Sequence, residues 1–101
     1  MTHYIYGGRM TDREAAHAEL ARALELPDYY GNNLDALWDC VTTTDLDAAL
    51  VEVEPMLIAL GEYGCKLLST LYEAAEENPG FVFRVARADE ANEEEVADIN
   101  Y

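Results

Sequence analysis

The sequence contains few basic residues. Only six of its 101 residues are lysine or arginine, against 21 aspartates and glutamates, which gives a formal net charge of −15. A field of that sign repels nucleic acids, anionic membranes and acidic substrates, and it attracts cationic partners. The composition therefore disfavours direct binding to nucleic acid or to a membrane and favours a basic protein partner, although acidity also serves solubility alone.

Cysteine and long apolar runs are also scarce. The two cysteines, Cys40 and Cys65, form neither a disulfide framework nor a zinc-binding spacing. Their apolar neighbours predict buried free thiols, which suit a reducing compartment. No signal-peptide pattern is present, and no segment approaches the ~20 apolar residues of a membrane span. We expect a cytoplasmic protein without a cofactor or a metal site.

Strand-like and helix-like patterns alternate along the chain, whose length fits one domain. The predicted strands cover residues 3–8, 49–53 and 81–85. The first predicted helix ends near Leu26, and the second runs from Asn32 or Asn33 to about Thr42. Residues 55–78 are predicted to form two further helices, broken around Gly61 to Gly64. Strands separated by helices favour parallel pairing. The predicted fold is α/β, with a three-stranded parallel sheet and about four flanking helices.

Local signals suggest where these elements begin and end. Thr11 and Glu14 have the spacing of a capping box, so Thr11 is expected to cap the first helix. Pro55 is expected to close the second strand and to open the next helix. Residues 88–101 are acidic and weakly periodic, which predicts an acidic tail or a frayed helix after a domain of residues 1–87.

The stretch LPDYYGNNLDALWDCVT, residues 26–42, combines aromatic and acidic side chains and contains no lysine, arginine or histidine. A turn of ~100° per residue places Asp35, Asp39 and Thr42 on one side of a short helix, with Trp38 beside them. The same angle places three residues on the core side, namely Leu34, Leu37 and Val41. Asp39 is a mediocre helix former, and Asp35 repels it at i,i+4. Unpaired acids beside an aromatic residue favour a surface for a cationic partner.

Core positions are an alternative for the aromatic residues of this stretch. Trp38 has about even odds of lying in the core. Tyr29 and Tyr30 could both be buried with their hydroxyl groups at the surface.

The pattern Leu-Pro-acid-Tyr-Tyr-Gly-x-Asn-Leu-Asp-Ala-Leu-Trp-Asp-Cys over residues 26–40 resembles the signature of the barstar family, intracellular inhibitors of barnase-like bacterial ribonucleases. The resemblance implies a three-stranded parallel sheet, with this helix and the preceding loop presented to the ribonuclease active site. Asp39 would occupy the place of a substrate phosphate among cationic groups. A glutamate on a later helix would add an acidic contact; Glu73 matches best, with Glu76 and Glu77 as close rivals.

The resemblance implies an inhibitor of the immunity or antitoxin type, without enzymatic activity. We expect it to be monomeric when free and to bind one barnase-like extracellular or toxin ribonuclease. The chain departs from the family pattern at Thr43-Thr44, where a glycine-tryptophan pair is common. The implied contact residues are Tyr29, Gly31, Asn33, Leu34, Asp35, Trp38, Asp39, Thr42, Thr43 and Glu73.

Two other classes of function stay open at this point. An acidic nucleic-acid mimic that binds another basic protein agrees equally with the charge, but it gives no role to the Tyr-Tyr-Gly-x-Asn stretch. A hydrolase could use Asp35 and Asp39, because i,i+4 spacing can reach the ~5–10 Å of a carboxylate pair. The sequence offers no nucleophile–base pair, and His17 is expected to be a solvated residue on a helix face. Asp45 and Asp47 lack the spacing of a calcium loop.

Overall fold

A computed structural model describes residues 1–91 of the chain. Three strands form one sheet: β1 Thr2–Tyr6, β2 Leu46–Val51 and β3 Phe81–Val85. The strand order is β1-β2-β3, and both neighbouring pairs are parallel. The register aligns His3 with Ala48 and Ala48 with Phe83. This sheet confirms the predicted parallel arrangement.

Helices connect the strands. The α-helices of the described elements are α1 Arg13–Leu24, α2 Leu34–Val41, α3 Val53–Leu60 and α4 Glu62–Glu77, and a single 3-10 turn covers Gly7–Arg9. Residues 88–91 are helical as well. The predicted α/β fold is therefore confirmed, whereas most of the expected acidic tail, residues 92–101, lies outside the described residues.

Two glutamates in left-handed backbone conformations set boundaries that the sequence patterns placed wrongly. Glu25, at φ 53°, ends α1 after Leu24 rather than near Leu26. Glu52, at φ 58°, ends β2 after Val51, before the predicted end at residue 53, and the strand also begins earlier than predicted, at Leu46 rather than at residue 49. As a result α3 begins at Val53, two residues before Pro55. A left-handed residue breaks both the strand and the helix pattern.

The N-terminal part of the fold differs from expectation at two points. The predicted strand over residues 3–8 ends at Tyr6, and the chain turns at Gly7, where a Cβ would collide with the backbone carbonyl oxygen of Glu52. The cap of α1 is Asp12 rather than Thr11, because the Asp12 carboxylate accepts a hydrogen bond of 2.8 Å from the Ala15 N–H. A carboxylate at this end also interacts favourably with the helix dipole.

The core lies between one face of the sheet and helices α1 to α4. Its fully buried side chains include Ile5, Leu20, Leu37, Val41, Leu50, Met56, Leu67, Leu71 and Phe81. Gly61 separates α3 from α4 as predicted, at φ 58° and ψ −130°. Glycine adopts this conformation without steric penalty, which allows α4 to turn and pack beside α2.

His17 is buried, contrary to the expectation of a solvated residue, because its face of α1 points into the core. Only 2% of its surface is exposed. Its Nδ1 lies 2.6 Å from the Tyr30 hydroxyl and its Nε2 lies 2.6 Å from the Tyr63 hydroxyl. Burial lowers the pKa of His17, so the neutral ring uses one nitrogen as donor and the other as acceptor. The imidazole thereby connects the loop before α2 to the first turn of α4.

Asn78 connects α2 to the start of β3. Its Nδ2 donates to the carbonyl oxygens of Val41 and Thr44 at 3.1 and 2.9 Å. Its Oδ1 accepts from the Gly80 N–H at 3.0 Å. The predicted turn at residues 78–80 is present, and its first side chain holds two distant segments together.

We expect the free energy of unfolding to fall as the pH decreases from about 7.5 to about 5.5. The pKa of folded His17 is lowered from 6.5, so below that pH the unfolded chain binds a proton that the folded chain does not. This contribution is present above the unfolded pKa and is lost as the pH falls through it. Urea titrations at several pH values would measure the decline. The His17→Gln variant should lose most of this pH-dependent decline, whereas the control variant His3→Gln should retain it. An unchanged decline in His17→Gln would show that His17 is not its cause.

Asn78→Ala should lower the free energy of unfolding by about 1–3 kcal/mol, because it removes the donor to the carbonyl oxygens of Val41 and Thr44. Asn78→Asp should also destabilise the fold, since it retains the acceptor for Gly80 but turns a carboxylate toward the Val41 and Thr44 carbonyls. Denaturant titrations would compare both with Glu77→Ala, which changes an exposed neighbour. Equal stability of Asn78→Ala and Glu77→Ala would show that these hydrogen bonds are dispensable.

Candidate functional site

The loop before α2 is shaped by two consecutive asparagines. Asn32 adopts a left-handed conformation at φ 55°. Asn33 then caps the helix: its Oδ1 accepts from the Ala36 N–H at 2.7 Å, and its Nδ2 donates to the Gly31 carbonyl at 3.3 Å. Of the two predicted caps, the structure uses Asn33. Gly31 and Asn33, both predicted contact residues, are thus exposed and fixed relative to α2.

The other end of α2 is closed by side chains. An α-helix leaves its last four carbonyl groups without intrahelical partners. All four accept side-chain hydrogen bonds here, from Thr42 to Trp38 at 2.7 Å, Thr43 to Asp39 at 2.9 Å, Thr44 to Cys40 at 2.7 Å and Asn78 to Val41 at 3.1 Å. The predicted contact residues Thr42 and Thr43 therefore terminate the helix as well as flank it.

Helix α2 separates its apolar and acidic sides as the sequence predicted. Leu37 and Val41 are fully buried. Asp35 and Asp39 are exposed, and Trp38 is half-buried against the core. In the preceding loop, Tyr29 is 86% exposed whereas Tyr30 is only 8% exposed, so the two tyrosines have different roles. Tyr29 faces solvent, and Tyr30 holds the loop through its hydrogen bond to His17.

A groove runs between α2 and α4. It has a volume of ≈ 550 Å³, and its lining residues are Leu34, Asp35, Glu62, Cys65, Lys66, Ser69, Thr70 and Glu73. The fold thus brings Asp35 and Glu73 to the same groove although 38 positions separate them in the sequence. Glu76 and Glu77 do not line this cavity, which favours Glu73 among the three predicted glutamates.

In the part of the chain that the structure describes, the acidic side chains of this surface form no ion pair. Within residues 1–91, none of the ion pairs involves Asp35, Asp39 or Glu73. Arginines pair elsewhere, as Arg22 does with Glu19 and Arg84 with Glu90. Asp39 also lies in the last turn of α2, where the helix dipole disfavours a negative charge. The exposed carboxylates therefore destabilise the free chain electrostatically, because none of them forms an ion pair among the described residues.

Side-chain chemistry at this surface points to binding. No cluster of three or more potential metal ligands occurs among residues 1–91. The Cys40 thiol is half-buried, and burial together with the Asp39 charge raises its pKa. Cys65 is exposed, contrary to the expected burial, because it lies on the groove side of α4. The described helices include none that is long and apolar enough to cross a membrane.

Known proteins resemble this chain over most of its length. Residues 1–88 match the family model described as "Barstar (barnase inhibitor)". The chain is also 46% identical over 81 residues, 76% of its length and 89% of the relative's length, to the Bacillus subtilis (strain 168) protein named "Putative ribonuclease inhibitor YrdF". The family match covers the residues of both helix α2, with the loop before it, and helix α4. The chain therefore belongs to the barstar family.

Proposed function

We propose that this protein is a stoichiometric inhibitor that blocks the active site of a barnase-like ribonuclease with α2, the loop before it and Glu73 of α4. The observation that carries the proposal is the set of exposed carboxylates of Asp35, Asp39 and Glu73, which lack ion-pair partners in residues 1–91. A ribonuclease must bind the phosphates of RNA with cationic groups. Carboxylates held on a rigid surface can occupy the same groups.

In the proposed mechanism, the inhibitor occupies the active site of the ribonuclease and undergoes no reaction there. Asp39 takes the place of a substrate phosphate, and Asp35 and Glu73 contact cations around it. The repulsion between these acids in the free protein is relieved when the cations of the ribonuclease approach. Tyr29 and Trp38 supply aromatic contact area beside the charges, as anchor residues of protein interfaces commonly do. The hydrogen bonds at both ends of α2 limit the entropy lost on binding.

The proposal includes the cellular setting. We expect a 1:1 complex and a monomeric free inhibitor that protects the cytoplasm of a bacterial cell from the ribonuclease, as an immunity protein or antitoxin does. The free thiols of Cys40 and Cys65 support a reducing compartment. The chain itself is proposed to have no catalytic activity.

Titration of purified barnase-like ribonucleases with the protein would test the function directly. We expect cleavage of a fluorescent RNA substrate by one of them to cease at an equimolar ratio. Capture of bacterial proteins on the immobilised chain, followed by mass spectrometry, would identify the natural partner. Recovery of a basic DNA-binding protein, with no ribonuclease inhibited, would support the nucleic-acid mimic instead.

Asp39→Ala should weaken ribonuclease binding by more than ~2 kcal/mol, because it leaves the cations of the partner buried without a counter-charge. In the free protein the same change should be neutral or slightly stabilising. It removes repulsion from Asp35 and replaces a poor helix former with the best one. Inhibition titrations and thermal melts would measure the two effects, with Glu54→Ala on α3 as the control for loss of one exposed carboxylate. A destabilised Asp39→Ala protein that still inhibits at an equimolar ratio would refute the assignment of α2 as the inhibitory surface.

The association rate should fall at least about tenfold between low salt and roughly 0.5 M salt, because the −15 charge of the chain steers a basic partner. The dissociation rate should change much less, since it depends on short-range contacts. Stopped-flow mixing at several salt concentrations would separate the two rates. An association rate that is independent of salt would argue against a cationic target.

A further inference from the structure

Another cavity adjoins the C-terminal end of α2. We call it the Tyr29 pocket, and it has a volume of ≈ 300 Å³. Its lining residues are Leu24, Glu25, Leu26, Pro27, Tyr29, Cys40, Thr43 and Thr44. Tyr29 and Thr43 belong to the proposed inhibitory surface, so the pocket is continuous with that surface.

The floor of the Tyr29 pocket is apolar. Leu24 is only 3% exposed, and Leu26 and Pro27 are half-buried. The Cys40 thiol stays protonated because burial raises its pKa. A side chain that enters the pocket therefore meets hydrocarbon and a neutral sulfur, which favour an apolar stem over a short polar group.

The rim of the pocket offers hydrogen-bond acceptors. The hydroxyl protons of Thr43 and Thr44 are already donated to the carbonyl oxygens of Asp39 and Cys40, at 2.9 and 2.7 Å. Each hydroxyl oxygen keeps lone pairs that can accept a further hydrogen bond. The Glu25 side chain, 78% exposed, adds a carboxylate, and the exposed Tyr29 ring adds a π-face. These side chains lack a cation and present no free hydroxyl donor to a ligand other than the Tyr29 phenol.

We propose that the Tyr29 pocket receives an arginine side chain of the ribonuclease, at a site separate from the cations that Asp39 contacts. The inference rests on the proposed function and adds a specificity contact to it. An arginine places its alkyl stem on the leucine and proline floor. Its guanidinium directs five donors toward the carboxylate and hydroxyl acceptors, and its plane stacks on the tyrosine.

Other occupants fit less well. An apolar side chain would desolvate the Glu25 carboxylate and the threonine oxygens without supplying donors. An acidic side chain would be repelled by Glu25 and by the nearby Asp39. A lysine could insert its stem, but it has fewer donors and no plane to stack on the ring.

Glu25→Gln should weaken the complex with the inhibited ribonuclease by about three- to tenfold, because the isosteric amide removes the charge that faces the guanidinium. Glu54→Gln, an exposed glutamate on α3, is the matched control for the change in net charge and should leave the affinity nearly unchanged. Thermal melts of both variants would verify folding, since Glu25 also lies 3.8 Å from His3 Nδ1. Isothermal titration calorimetry would measure the affinities.

A double-mutant cycle would identify the partner residue. Each arginine of the ribonuclease outside its catalytic centre would be changed to glutamine, and one of them should couple to Glu25 by at least about threefold. Equal affinities of Glu25→Gln and Glu54→Gln, while the wild-type chain still inhibits, would overturn the inference and leave the proposed function intact. A crystal structure of the complex with the pocket empty, or filled by an apolar side chain, would also overturn it. A wild-type chain that inhibits no ribonuclease would refute the proposed function itself.

Discussion

The acidic surface depends on a helix that is too short to be stable alone. Helix α2 has eight residues, below the ~12–15 at which an isolated helix becomes even marginal, and it carries two like charges one turn apart. Its conformation is supported by the rest of the fold. Leu37 and Val41 anchor it in the core, and hydrogen bonds close both ends. Packing and capping by other segments therefore offset the repulsion between the two acids and keep α2 helical.

Much of the fold could be predicted because its signals are local. The order of strands and helices follows from apolar periodicity, and the two sides of α2 follow from the helical turn angle alone. Boundaries at Glu25 and Glu52 could not be predicted in this way, since glutamate carries no preference for a left-handed conformation. His17 gave a partial signal, because it lies beside Leu24 on the helical wheel. Its tyrosine partners, Tyr30 and Tyr63, are set by tertiary packing.

In the candidate site, too, some features follow from local sequence signals and others depend on tertiary packing. Exposure of Asp35 and Asp39 was predictable from their spacing, and the asparagine cap from its residue type. The preference for Glu73 over Glu76 required the packing of α4 against α2, which brings one glutamate and not the other to the groove. The Tyr29 pocket was invisible in the sequence for a similar reason. Its lining comes from the end of α1, the following loop and the residues after α2.

The topology has a consequence for the order of events during folding. Asp39 belongs to the connection between β1 and β2, whereas Glu73 and Asn78 belong to the connection between β2 and β3. The groove is assembled only when both connections are packed on the same face of the sheet, and Asn78 closes α2 only when β3 is in place. A chain that has formed only the β1–β2 half therefore presents acids without the groove. The complete surface therefore requires both connections to be packed, and a partly folded chain lacks it.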